Sequence, residues 1–391
     1  MTQPFVLYAA PASLYSCKAR SYLRQYAIPY IERAPSHPEY LERIMPANGR
    51  WIIPVLETPS GEIIQDTVNI IEYLDALVPA ERSAIPRSPV HQCVAYLLEL
   101  FGGEGLLRPA MHYRWDFDET NIPFLSKDFS SMFLIGGDDA AREASFVTSS
   151  ARMRFATTAF GVSDTNQAAI EASYLEFLQL LDDHLAGSPF LLGGIPTIGD
   201  FGFMGPLYAH LARDPYPSVI MKQRAQRVWR WTERMNAPTQ DASEYGDYPA
   251  TLFADDQIPA TMTALLRYIS EEFLNDMVAQ VNAVESYLVD HPEVLEGEVV
   301  LGKPSRRFSG MTSFAWRGET MNVAVVPYRV FMLQRLHQAF HQHDVGAQAR
   351  IREVFEASGL DPLLDIRPSR WVLRENNREV WGPLQSPSLL G

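Results

Sequence analysis

Cysteine is almost missing. Only Cys17 and Cys93 occur in 391 residues, so at most one internal disulfide can form and no cysteine-based zinc cluster can assemble. Such a thiol count fits a reducing compartment. Positive charge is also scarce, with 33 Lys+Arg against 47 Asp+Glu and a formal charge of −14. That balance opposes a broad nucleic-acid or anionic-membrane surface while leaving room for a local basic pocket. No stretch of about 20 nearly uncharged apolar residues is present, and the opening MTQPFVLYAAP lacks a basic segment followed by a long apolar run. A cytoplasmic protein with no membrane contact is therefore expected. Also absent are a GxGxxG fingerprint, a phosphate-binding Walker loop, a GxSxG elbow and a HExxH pair. Their absence leaves no independent case for a dehydrogenase, an ATPase, a hydrolase or a zinc protease.

What is present is 47% hydrophobic and 11% aromatic, a globular composition, in a chain long enough for two to three domains. Residues 5–10 form a short apolar strand candidate, and SLYSCKARSYLRQY from Ser13 has the polar start and periodic apolar positions of a helix. A second strand is expected from Tyr30. WIIPVLETPSGEII reads as two strands joined by a Pro-Ser-Gly turn, and Thr67 opens another helical pattern. Pro54 cannot donate to a ladder, so it fits either a special bend that exposes neighbouring peptide groups or an edge strand.

The proline-rich stretch 79–89 reads as a linker. Beyond it, helices are expected near 91–112, 143–160, 165–186, 199–212 and 218–235, with 121–139 as a loop insertion. Thr197 and Asp200 have the spacing of a helix-capping pair. The acidic stretch 241–256 reads as a connector. From Leu266 through Phe273 and Val281 to Leu288 apolar residues recur at three- and four-residue steps, predicting one long amphipathic helix. Further helices are expected at 322–343 and 351–357.

The ordered set Tyr8, Ser13-Leu14-Tyr15-Ser16, Cys17-Lys18-Ala19-Arg20, Ile53-Pro54-Val55-Leu56 and Gln65-Asp66 resembles the amino-terminal domain of the glutathione transferase superfamily. LLGGIPTIGDFGFMGPL, with its Thr-x-x-Asp helix start, resembles that superfamily's carboxy-terminal domain. The resemblance implies an α/β thioredoxin-like domain over 1–80 and an all-α glutathione-transferase-like domain over 91–238. Residues 257–391 match no module and are expected to form a mainly helical extension of open role.

The resemblance implies glutathione as co-substrate, a small organic electrophile as its partner, and a homodimer. The reaction is thiol conjugation or glutathione-dependent reductive displacement of a leaving group. Ser13 falls at the position of the superfamily's catalytic serine or cysteine, where a hydroxyl at a helix start favours a thiolate. A serine there also serves simply as an N-cap. Ser16, three residues on, is a further catalytic candidate that could approach the thiol. Cys17 is read as a buried structural thiol, or else as the nucleophile of a thiol oxidoreductase whose pKa the helix start and Lys18 would lower. Tyr8 is a second candidate thiol donor, or a packing residue.

Ile53 and Pro54 resemble the pair that presents backbone hydrogen bonds to the cysteinyl part of glutathione. Gln65 and Asp66 resemble the pair that grips the γ-glutamyl end, with Asp66 in place of the usual serine or, by local reasoning, acting as a helix cap. Arg50 would pair with a ligand carboxylate. Tyr113, Trp115 and Phe203 are candidate electrophile walls or core residues. Arg108, Arg114, Arg152 and Arg154 would counter an acidic substrate or remain exposed. Glu104 is assigned no chemistry. His337, His341 and His343 would need a third converging ligand to hold a metal, and no metal is expected. In the alternative reading the chain is a non-enzymatic scaffold that binds a protein partner through residues 240–391.

Overall fold

The computed structural model describes residues 4–237, 242–303 and 307–390. The chain opens with β1 (Phe5–Tyr8), α1 (Leu14–Gln25), β2 (Tyr30–Arg33), a short α2 (Met45–Asn48), β3 (Val55–Glu57), β4 (Ile63–Gln65) and α3 (Thr67–Asp75). The sheet order is β2-β1-β3-β4, with β1 parallel to β2 and the other pairs antiparallel. Alternation along β1 sets its two faces. Leu7 joins the core under α1 and α3, whereas Tyr8 packs with Tyr40, Ile44 and Val55 on the other side. This is the expected thioredoxin-like arrangement, and the Ile53–Pro54 peptide is cis.

Eight helices follow: α4 (Pro89–Leu100), α5 (Leu107–Trp115), α6 (Asp118–Phe133), α7 (Asp139–Ala159), α8 (Gln167–His184), α9 (Ile198–Pro206), α10 (Pro215–Arg224) and α11 (Gln226–Asn236). Helix α9 lies between α1 and α4. Its approach to α4 depends on Gly202, where an added Cβ would sit 2.7 Å from the Cα of Glu99. Thr197 and Asp200 close the expected capping box, and Asp200 also receives the indole N–H of Trp231 at 3.1 Å. Residues 121–139 are not the expected loop, since α6 fills most of them. Pro123 masks the pattern in the sequence, yet Leu125, Phe129 and Met132 fall on one face and bury against Trp115. Burial of that face outweighs the proline.

The acidic connector has a definite task. Asp256 accepts the amides of Val90 and His91 at 2.8 and 2.9 Å, supplying the start of α4 with the anion its free N–H groups favour. The extension comprises α12 (Ala260–Ile269), α13 (Asn275–Asp290), β5 (Met311–Trp316), β6 (Glu319–Ala324), α14 (Pro327–His341), α15 (Val345–Glu356), β7 (Arg370–Glu375) and β8 (Arg378–Leu384). The predicted helix from Leu266 to Leu288 is α12 and α13 joined through 270–274.

The extension is mainly helical as expected, with two antiparallel hairpins, β5–β6 and β7–β8, added to its helices. The helix expected from Asn322 begins at Pro327, because Met321 and Val323 alternate inward as strand residues. His337 bonds the carbonyl of Leu363 at 2.9 Å. No cluster of three metal-ligating side chains occurs among the described residues, and none of their helices is long and apolar enough to cross a membrane. One apolar cluster runs from Leu7 in β1 to Trp381 in β8, so the extension shares the core of the regions before it.

Candidate functional site

The turn from β1 into α1 is built by two serines. Ser13 is the N-cap of α1, its oxygen accepting the amide of Ser16 at 3.2 Å. Ser16 is fully buried, and its own oxygen accepts the amide of Ala10 at 3.3 Å, pinning the end of the strand. Ser13 is only half-buried. A hydroxyl that accepts one bond keeps its proton to donate, so capping and stabilisation of a thiolate are compatible roles for Ser13.

Cys17 points elsewhere. It is fully buried, its thiol lies 3.5 Å from the carbonyl of Met204, and burial pushes its pKa up to about 11. The neighbouring Lys18 does not activate it, being paired with Glu99. Tyr8 packs with Tyr40, Ile44 and Val55, apart from the core residues of α1. Its hydroxyl reaches Glu57 at 3.2 Å and receives Arg33 at 3.4 Å, and burial raises its pKa.

Ile53 is half-buried and precedes the cis bond to Pro54. Among the described residues neither its N–H nor its carbonyl makes a protein hydrogen bond, while its side chain packs against the cluster containing Ala12 and Trp115. Pro54 is buried.

Arg50, Gln65 and Asp66 do come together, but in company the sequence did not announce. Arg50 pairs both guanidinium nitrogens with Glu379 of β8 at 3.2 and 3.3 Å and reaches Gln65 Oε1 at 3.3 Å. The amide of Gln65 donates to Asn377 Oδ1 at 2.9 Å, and Arg374 of β7 donates to its backbone oxygen at 3.2 Å and to its side chain. Asp66, at φ +86°, caps α3 by accepting the Val68 amide at 3.0 Å and also accepts the hydroxyl of Tyr328 at 2.8 Å. Burial alone would raise its carboxyl, but Arg374, the Val68 amide and Tyr328 hold it below its ordinary value.

A second buried polar group joins α1 to the extension. Tyr15 donates to Glu104 at 3.0 Å, and Arg329 of α14 joins Glu104 to Asp276 at 3.3 and 2.8 Å. Burial raises the pKa of Glu104. Arg307 sits in the field of Glu379, Tyr15, Asp66 and Glu104, over the ring of Tyr328 at 5.9 Å.

The candidate electrophile walls are core residues. Tyr113, Trp115 and Phe203 are at most 3% exposed. Arg108 and Arg114 are buried rather than exposed, with Arg114 held bidentately by Asp214 at 2.7 and 2.8 Å and Arg108 on Asp276 at 3.3 Å. Arg154 bonds Asp118 and the carbonyl of Trp115, and Arg152 is exposed. The sequence reading missed Tyr328, Arg374, Asn377 and Glu379. One signal was available, since VLRENNREV places Asn-Asn between alternating residues, the composition of a two-residue hairpin turn.

Residues 7–82 match the family model for the glutathione S-transferase N-terminal domain, and residues 164–234 match that for the C-terminal domain. The chain thus carries the two domains of a glutathione S-transferase, and its extension lies beyond both matches. No curated protein matches the chain. Among similar solved structures, a glutathione transferase from Phanerochaete chrysosporium is 13% identical, covering 62% of this chain and 99% of its own, with a TM-score of 0.42. One from Methylobacterium radiotolerans, in complex with glutathione sulfonate, is 19% identical over 66% of this chain and 100% of its own, TM-score 0.37. One from Ceriporiopsis subvermispora, in complex with glutathione, is 17% identical over 60% of this chain and 99% of its own, TM-score 0.40. The assignment rests on the two domain matches.

Proposed function

We propose that the protein is a glutathione-dependent transferase acting on a small organic electrophile. The observation that carries this reading is the half-buried Ser13 hydroxyl, placed at the N-terminus of α1 within the matched N-terminal domain and with its proton still available. The ligand thiol would lose its proton and lie there as a thiolate, stabilised by the Ser13 O–H and by the positive end of the helix. The backbone N–H and carbonyl of Ile53 would pair with the cysteinyl residue as a strand does. Attack on the electrophilic carbon forms the C–S bond as the leaving group departs with its electron pair. In reductive displacement a second thiolate would then attack the sulfur of that conjugate, forming a disulfide as the C–S bond breaks and its electron pair on carbon takes a proton from water. The reading carries with it a homodimer and a cytoplasmic setting, and the two free, buried cysteines fit a reducing environment.

A second reading has its own support. Arg50, Gln65 and Asp66 are already bonded to the extension, as a scaffold that has given up the ligand would have them. Titration calorimetry of the full chain with glutathione, paired with conversion of a chromogenic haloarene, separates the two. Binding and turnover that fall in Ser13→Ala support the enzyme. Turnover in wild type that Ser13→Ala leaves unchanged sinks the assigned role, and absence of both binding and turnover in wild type favours the scaffold.

A further inference from the structure

Two residues expected to hold the amino-acid end of the ligand, Arg50 and Gln65, meet one short stretch of the extension. Glu379 takes Arg50 and Arg374, the latter at 2.9 Å. Asn377 brackets the outer edge of β4, accepting the amide of Gln65 at 2.9 Å and donating to the carbonyl of Ile63 at 3.0 Å. In chemical terms the hairpin offers Arg50 a carboxylate, and the edge of β4 an amide. Those are groups that a γ-glutamyl residue would also bring.

The hairpin is anchored by apolar burial at its base and by polar contacts alone at its tip. Trp371, Val372 and Trp381 are buried, while Glu375, Asn376 and Arg378 are exposed. The turn consists of Asn376 and Asn377, both at positive φ (+49° and +62°), which asparagine tolerates better than other side chains. Few apolar contacts hold such a tip, and segments of that kind open first.

We propose that the tip of the β7–β8 hairpin is an internal competitor for the amino-acid end of the ligand, so that a γ-glutamyl thiol binds by displacing Asn377 and Glu379 from Gln65 and Arg50. The proposal rests on the glutathione reading above. Its consequence is thermodynamic: the apparent affinity for glutathione is the intrinsic affinity reduced by the fraction of molecules with the tip released. By reciprocity, glutathione must increase that fraction. Cysteinylglycine has the thiol and the strand-pairing backbone but no γ-glutamyl group, so it meets no such competition.

The test uses the full chain, Asn377→Gly and Glu379→Gln. Glycine keeps the left-handed turn while removing the bracketing amide, and glutamine keeps the size while removing the charge. Thermal melting confirms that both variants fold. Calorimetry should find glutathione bound roughly five- to thirtyfold more tightly by the variants, the scale of one or two released hydrogen bonds, with cysteinylglycine unchanged. Hydrogen exchange at residues 376–379 of the wild type should quicken when glutathione is added. If wild type binds glutathione and the variants bind it equally or less tightly, or if glutathione slows exchange at the tip, the hairpin is part of the binding wall and the proposal is overturned while the glutathione reading stands. If neither wild type nor variants bind either thiol, the glutathione reading fails and takes the proposal with it.

Discussion

Arg335 of α14 meets Lys18 of α1 on a single carboxylate, one on each oxygen of Glu99. All three are nearly inaccessible, and Arg335 also reaches Glu72 at 3.0 Å. Glu99 thus ties the extension to the first helix through the middle of α4. Replacing one member of a buried ion set leaves the others uncompensated. Glu99→Gln should therefore lower unfolding free energy in urea by about 3–5 kcal/mol, whereas Glu72→Gln, on an exposed partner, should cost about 1 kcal/mol or less. Equal effects would show that the buried charge is not what joins the two regions.

Ser13→Ala removes both a cap and the proposed thiolate donor. The cap loss should cost about 1 kcal/mol in stability. Turnover at saturating glutathione should fall by one to two orders of magnitude, near the lower end for an oriented donor to a developing anion. Ser13→Thr should restore much of it. A purely structural cap would move the melting temperature and leave the pH dependence of turnover where it was.

Cys17 should be inert. With its pKa raised to about 11 by burial, it carries almost no thiolate at neutral pH, and the thiolate is the reactive form. Intact-mass measurement after iodoacetamide treatment of the native protein should show no adduct, and adducts at Cys17 and Cys93 only after denaturation. Cys17→Ala should retain glutathione-dependent turnover. Rapid native alkylation at Cys17, or loss of turnover in a folded Cys17→Ala protein, would revive the oxidoreductase alternative.

Among the buried histidines, His184 and His337 are held neutral. Burial lowers both from 6.5 to about 4. The unfolded chain takes up a proton near 6.5 while the folded chain does not, so stability falls as pH drops from about 6.5 to about 4, by about 3 kcal/mol for each histidine. Asp200 opposes this. Burial raises its carboxyl from 3.8 to about 6, so protonation favours the folded state and returns some stability as pH falls across that interval. His184 and His337 together outweigh Asp200; His210, also lowered by burial, adds to the loss on acidification, while Glu104 and Asp214, raised by burial, oppose it. Denaturation midpoints measured at stepped pH should show that loss, and His337→Gln should flatten it. An identical slope in the variant would mean that His337 protonates in the folded protein.

Much of the first 235 residues was legible because local rules and packing agree there. The alternation of β1, the polar start at Ser13, the Thr197–Asp200 pair and the periodicity of α8 each point to the element that forms. Legibility failed where burial reversed a local signal. Pro123 reads as a break, yet α6 continues through it because Leu125, Phe129 and Met132 have a surface to cover. In the extension, Asn322 reads as the start of a helix, yet β6 claims it because Met321 and Val323 turn inward.

By itself the sequence determined the start of α1, the interruption of strand pairing at Pro54 and the helix cap open to Asp66, since each follows from interactions among residues close in the chain. Only tertiary structure decided what meets them. Arg50 with Glu379, Asp66 with Tyr328 and Gln65 with Asn377 pair across 329, 262 and 312 positions. No spacing rule spans such separations, because they are set by the shared core that folds the extension back onto β4 and α4.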